Sequence, residues 1–165
     1  MAELYLIRHG IAAERGKEWP DDSKRPLTQK GIARLAEVAA GLKELAVTFD
    51  LILTSPLVRA HQTAELLQQG VGGTTPLEQT ALLAPGGKPA DLIDLLRSKS
   101  KKKEERVALV GHEPDLGQLA AFLIGARAPL VFKKGGVCRI DFEKFPPVPP
   151  GHLVWFAQPR MLRSL

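Results

Sequence analysis

Four apolar residues, Leu4-Tyr5-Leu6-Ile7, give way within a single position to Arg8-His9-Gly10. A run of that kind reads as a buried strand that delivers a reactive group to its own end. In open α/β sheets ligands sit beyond the carboxyl ends of the strands, so Arg8 and His9 are expected where a site forms, with Gly10 letting the backbone approach an anion closely. The same alternation of short apolar runs and longer helical stretches recurs along the chain and predicts a layered α/β fold with a mainly parallel core.

Strands are expected at about Glu3 to Arg8, Leu51 to Thr54 and Val107 to Val110, each followed by a helix. Thr28 is placed to cap a helix from about Gln29 to Leu45, whose Ile32, Leu35, Ala36, Ala39, Leu42 and Leu45 form an apolar stripe that Gly31 and Gly41 make imperfect. Ser55-Pro56 reads as a cap and first-turn proline opening a helix through about Leu67, and Pro89 and Pro114 open helices to about Lys99 and Leu123. Val137 to Phe142 and Leu153 to Ala157 read as two strands joined by a proline-rich ordered turn, Phe145 to Gly151. Gly70 to Thr75 reads as a flexible loop, and Ile11 to Thr28 as a long loop placed to cover the site.

With 165 residues, 44% apolar and 25% charged, the chain suits one globular domain, 1–165. Cys138 is its only cysteine, which excludes an internal disulfide and a cysteine-built metal site; it reads as a packed strand residue. The start runs straight into a strand with no leader-like pattern, and no apolar run approaches membrane-spanning length, so a cytoplasmic protein without membrane association is expected. The formal charge of +5 raises nucleic acid as a partner, but much of the excess lies in Lys99 and Lys101 to Lys103 beside Glu104 and Glu105, and only 5% of residues are aromatic. That pattern is a solvated turn with little to stack on bases, and the charge is better suited to steering an anionic substrate or an acidic partner. No apolar stripe is left over, so a monomer is expected. Asp21 and Asp22 read as solvated loop charges, His61 and His152 as surface histidines, and Trp155, Phe156, Phe122 and Phe142 as core; Met161 to Leu165 has no assignable role. The four histidines lack the spacing of a zinc site.

Two further segments supply partners for His9. In Leu53-Thr54-Ser55-Pro56-Leu57-Val58-Arg59 a strand ends and Arg59 falls in the first turn of the next helix, where free amides and an arginine fork both favour phosphate. In Leu109-Val110-Gly111-His112-Glu113-Pro114 the pattern is again strand, glycine, cationic side chain and proline-started helix. Arg8, His9, Arg59 and His112 are therefore expected on one edge of the sheet. A neutral imidazole can attack phosphorus, and two arginines with a protonated His112 could compensate the charge of the transferring group without metal or other cofactor. Four crowded cations would repel one another, so bound phosphate or sulfate is expected to stabilise the fold. Glu113 and Asp115 read as first-turn acids serving the helix dipole.

Arg8-His9-Gly10, Ser55-Pro56 with Arg59-Ala60 and Gln62-Thr63-Ala64, and Gly111-His112 resemble the histidine phosphatase superfamily, also called phosphoglycerate mutase-like. Arg25-Pro26-Leu27-Thr28 with Gly31, His112-Glu113-Pro114 with Leu116, and a last strand holding Trp155 followed by Pro159 and Leu162 are similar to its small SixA-type branch of protein phosphohistidine phosphatases. The resemblance implies a three-layer α/β/α sandwich around a mostly parallel sheet, His9 as the phosphorylated nucleophile, and Arg8, Arg59 and His112 as the phosphate pocket. Arg25 either reaches the phosphate or fixes the loop. The implied partner is a histidine-phosphorylated signalling or carrier protein. Larger relatives carry a mid-chain acid that protonates an alcohol leaving group, whereas Thr80 to Gly87 here has none. An alkoxide needs that proton and an imidazole scarcely does, which favours phosphohistidine. A small-molecule phosphomonoesterase and a non-catalytic phosphate-binding module are the alternatives.

Overall fold

The computed structural model describes residues 1–99 and 105–165; the lysine run Lys101 to Lys103 and Glu104 lie outside the described residues. The strands are β1 (Ala2–Arg8), β2 (Leu51–Thr54), β3 (Leu77–Gln79), β4 (Arg106–Gly111), β5 (Val137–Phe142) and β6 (His152–Ala157). The helices are α1 (Gln29–Glu44), α2 (Val58–Val71), α3 (Pro89–Lys99), α4 (Asp115–Ile124) and α5 (Pro159–Leu162). All six strands form one sheet in the order β3-β2-β4-β1-β5-β6. β3, β2, β4 and β1 run parallel, while β5 is antiparallel to β1 and β6 to β5.

Side chains alternate between the two faces of the pleat, and each face has its own core. Leu4, Leu6, Val107 and Leu109 pack with Leu92, Ile93 and Leu96 of α3 and Leu116, Leu119 and Leu123 of α4. Tyr5, Ile7, Ala108 and Val110 pack on the other face with Val38 and Leu42 of α1, Ala60, Ala64 and Leu67 of α2, and Leu162 of α5. The molecule is therefore the expected three-layer α/β/α sandwich.

This layering also fixes where a site can form. β1 and β4 are neighbours with Arg8 level with Gly111, yet the chain leaves β1 toward the α1 face and leaves β4 toward the α4 face. Diverging connections at adjacent strand ends open a crevice there.

Several boundaries differ from the sequence expectation. Ser55 does not cap α2, which begins at Val58 after Leu57 with no side-chain cap; Pro56 comes too early, and the Ser55 hydroxyl has another partner, described below. α2 then continues through Val71, taking in Gly70, whose missing side chain lets it lie against Ala39 of α1. β3 and α5 went unread because three and four residues carry too little periodicity. Phe122 is 48% exposed rather than core, since its position on α4 faces solvent. The final tail is a packing element, with Leu162 buried and its backbone lying where a side chain at Gly41 would stand. The proline-rich connector folds back as expected, with Phe145 buried in the core.

Candidate active site

The parallel register brings three strand ends level, and short bonds lock them together. The His9 amide donates to the Gly111 carbonyl at 3.1 Å and the Ser55 amide to Val110 at 2.9 Å. Thr63 on α2 accepts from the Gly10 amide at 3.0 Å and donates to the Arg59 carbonyl at 2.7 Å, so α2 holds the turn that carries His9. Gln62 accepts from the Leu27 amide and ties down the end of the long loop.

His9 and His112 are buried, with ring centroids 5.1 Å apart. His9 Nδ1 lies 2.7 Å from the Gly10 carbonyl, which can only accept, so Nδ1 carries the proton and Nε2 holds the lone pair. Arg59 Nε donates to that Nε2 at 3.3 Å. Burial pushes the His9 imidazole down to about 3, an effect that His112, Arg59 and Arg8 reinforce against the bond to Gly10. The ring is neutral throughout the physiological range, with its Nε2 lone pair facing Arg59.

His112 Nε2 lies 2.8 Å from the Ser55 hydroxyl, which already accepts from the Leu57 amide. When the hydroxyl donates to Nε2 the ring proton sits on Nδ1; the hydroxyl's second lone pair can instead accept from Nε2–H. Burial, then Arg59, lowers His112 to about 4. Burial, with the arginines, thus favours neutral His112 over the protonated form, and Asp22 acts the other way. Its Nδ1 is buried without a hydrogen-bond partner, and so is Nε of Arg8. Buried polar nitrogens without partners are rare, and two in one pocket, one of them on an arginine, suit an oxyanion.

Arg8 reaches the Phe132 carbonyl through one terminal nitrogen at 2.6 Å. The Glu113 carboxyl lies near Arg8 with Oε1 buried and unpartnered; burial raises its pKa, and Arg8 and the Phe132 and Gly117 amides oppose that. Asp115 accepts from the Gly86 amide at 2.7 Å. Asp115 is thus engaged with backbone, whereas Glu113 keeps one buried oxygen without a partner.

The long loop does lie at the site. Its base is pinched by the Ala12–Leu27 bridge, and a short 3-10 turn at Asp22–Lys24, capped by Asp21, sets Asp22 over α2. Asp22 is not a solvated loop charge. Its carboxylate meets Arg59 at 3.0 Å, Arg25 at 3.0 Å and Arg15 at 3.2 Å, and its carbonyl accepts from Arg59 at 2.8 Å. Partial burial works against its ionisation, but Arg59 and Arg25 outweigh that and hold it below the ordinary carboxylate value. Arg25 is buried and spends Nε on Asp22 and one terminal nitrogen on the Ala13 carbonyl, which fixes the loop. The pocket is consequently less cationic than its residue types imply: two neutral imidazoles, arginines, and one carboxylate. Nothing in the sequence separates Asp22 from its neighbour Asp21, since its arginines lie up to 37 residues away.

His61 pairs with Glu65 on the outer side of α2, and His152 is exposed, both apart from the site. Among the described residues no group of His, Cys, Asp and Glu side chains is arranged to hold a metal ion, and no helix is long and apolar enough to cross a membrane.

A sequence model of the histidine phosphatase superfamily (branch 1) matches residues 4–84. An uncharacterized protein of Picosynechococcus is 42% identical over 82% of each chain. The phosphohistidine phosphatase SixA of Escherichia coli is 27% identical over 86% of each. Among solved structures, the protein histidine phosphatase SixA complexed with tungstate superposes with a TM-score of 0.85 at 26% identity, covering 97% of this chain and 99% of that one.

Proposed function

Because the chain belongs to the histidine phosphatase superfamily and is a phosphatase, we propose that its substrate is a phosphohistidine on a protein, hydrolysed through a covalent phospho-His9 intermediate. The observation that carries this reading is the neutral His9, whose Nε2 lone pair faces Arg59 beside the unpartnered Nε of Arg8 and Nδ1 of His112. Arg8, Arg59 and His112 bind the phosphoryl oxygens, and Arg25 supports them through the loop.

In the first step Nε2 of His9 forms a bond to phosphorus while the substrate's phosphorus–nitrogen bond breaks and its electron pair returns to the leaving imidazole. Water then attacks phosphorus, the electron pair returns to His9 Nε2, and the water proton leaves on phosphate. His112 donates Nδ1–H to the transferring oxygens while its ring stays neutral, a hydrogen bond that becomes stronger as charge develops. The substrate class follows from the leaving group. Residues 80–87 carry no carboxylate and Asp115 is held by the Gly86 amide, so neither offers a proton to an alkoxide. An imidazole leaves without one. The likeness to SixA of Escherichia coli, a phosphohistidine phosphatase, supports the same choice.

The test is phosphate release from a histidine-phosphorylated carrier protein and from an aryl phosphate, with chelator present, for the chain and for His9→Ala. Preference for the phosphohistidine, abolished by His9→Ala, is expected. Cleavage of the aryl phosphate alone would move the assignment to small phosphate esters, and tight phosphate binding without turnover of either would make the chain a binding module.

A further inference from the structure

We propose that Asp22 is the specificity-determining residue that distinguishes phosphohistidine from other phosphate compounds, by accepting a hydrogen bond from the second ring nitrogen of the departing imidazole. The proposal rests on the phosphatase reading above and names the residue that selects its substrate.

The Arg59 guanidinium acts as a ruler between the nucleophile and Asp22. Its Nε stands 3.3 Å from His9 Nε2, and its outer nitrogen NH2 stands 3.0 Å from Asp22 Oδ2. Asp22 is therefore linked to the attacking nitrogen through one guanidinium with a hydrogen bond on either side. In-line transfer puts the leaving nitrogen on the far side of phosphorus from His9, so a phosphoryl group clamped by Arg59 directs its leaving group outward. The Asp22 side chain is 43% exposed, so an imidazole can reach it. An open groove lined by Arg15, Gly16, Trp19 and Pro20 begins at the same residue, giving the substrate's flanking chain a place to lie.

The carboxylate has the capacity for such a bond. Oδ1 receives Arg25 and Arg15, whereas Oδ2 receives only Arg59 and keeps a lone-pair direction. The surrounding arginines hold it ionised. An imidazole phosphorylated on one nitrogen can carry a proton on the other, and an ionised carboxylate stabilises that cation. When the phosphorus–nitrogen bond breaks, the ring departs as neutral imidazole with its remaining N–H on Asp22, and the positive charge moves to phospho-His9, whose Nδ1–H is held by the Gly10 carbonyl. The leaving nitrogen needs no new proton. A serine or aryl phosphate has no second nitrogen, and to it Asp22 offers only a negative charge.

The experiment compares Asp22→Asn with the unmodified chain on phosphoimidazole and on p-nitrophenyl phosphate across pH 5 to 8. The ratio of kcat/KM for phosphoimidazole to that for the aryl phosphate is expected to fall at least tenfold, with the pH profile changed for phosphoimidazole only. Equal losses on both substrates would mean that Asp22 merely holds Arg59, and would overturn the proposal; so would an unchanged ratio. Vanadate binding by Asp22→Asn, measured in parallel, reports whether the pocket is intact, and Asp22→Glu should restore part of the ratio. An unmodified chain that shows no His9-dependent turnover of phosphoimidazole overturns the functional reading and this inference together, whereas turnover with an unchanged ratio overturns this inference alone.

Discussion

Both active-site imidazoles are held neutral by burial, so the chemistry turns on where each ring proton sits. For His9 the Gly10 carbonyl fixes the proton on Nδ1, and with an imidazole pushed down to about 3 that tautomer should persist as the solution is acidified. Long-range nitrogen–proton NMR is expected to show His9 as the Nδ1–H form from pH 8 to about pH 5; a ring that titrates near the ordinary value of about 6.5 would contradict the desolvated pocket. For His112 the controlling group is Ser55, which the sequence offered as a helix cap. Ser55→Ala removes the partner of Nε2 and releases His112 to both tautomers. With a hydrogen bond worth about 1 kcal/mol net, kcat/KM should fall about 3- to 10-fold, and the His112 nitrogen signals should show mixed tautomers, which simple loosening of the helix start would not produce. The residues proposed to bind phosphate were legible because they occupy strand ends in a sequence-local pattern. The residues that aim them were not: Ser55, Asp22 and the Phe132 carbonyl act across the fold, and a serine before proline or an aspartate in a loop has an ordinary local explanation.

At the level of elements, the sequence is most legible where a period runs long enough to repeat. α1 and the continuous strands β1, β2 and β4 follow from patterning, whereas the sheet order, set by pairing between segments far apart in the chain, does not. Gly31 and Gly41 look like defects in α1 on propensity alone, but both are contact points. A side chain at Gly31 would stand 2.1 Å from the Ile11 carbonyl oxygen, and one at Gly41 would stand 2.0 Å from the Leu162 carbonyl oxygen. Gly41→Ala therefore sets two effects against each other. Helix propensity favours alanine by about 1 kcal/mol, while displacing α5, whose Leu162 side chain is buried in the core, costs on the order of 1–3 kcal/mol. The steric cost wins, because the obstacle is backbone and cannot rotate away. A lowered thermal midpoint in Gly41→Ala is expected; a raised midpoint would show that α5 is not seated on α1.

For the whole molecule, the site subtracts from stability whenever its buried groups must charge. The folded His9 and His112 sit near 3 and 4, below the value of about 6.5 for an unfolded chain. Between those limits the unfolded state binds more protons, so stability is fully present above about pH 6.5 and is lost as pH falls toward the folded values, on the order of 4 kcal/mol between pH 7 and pH 5 for the two groups together. Chemical denaturation at pH 7 and pH 5 should show this loss in the unmodified chain and much less of it in the His9→Ala/His112→Ala double variant. An oxyanion acts on the same pocket in the opposite sense. It gives the unpartnered nitrogens of Arg8 and His112 an acceptor, and it binds the folded state only. At a concentration 100 times its dissociation constant such a ligand adds about 2.7 kcal/mol, which for a chain of this size raises the thermal midpoint by about 5–10 °C. The increment should appear with inorganic phosphate or vanadate at pH 7 and shrink in Arg59→Ala, which removes the clamp but leaves both histidines. A midpoint that rises equally in Arg59→Ala would place the bound anion elsewhere on this basic surface, and would separate general charge neutralisation from occupation of the pocket formed at the β1 and β4 strand ends.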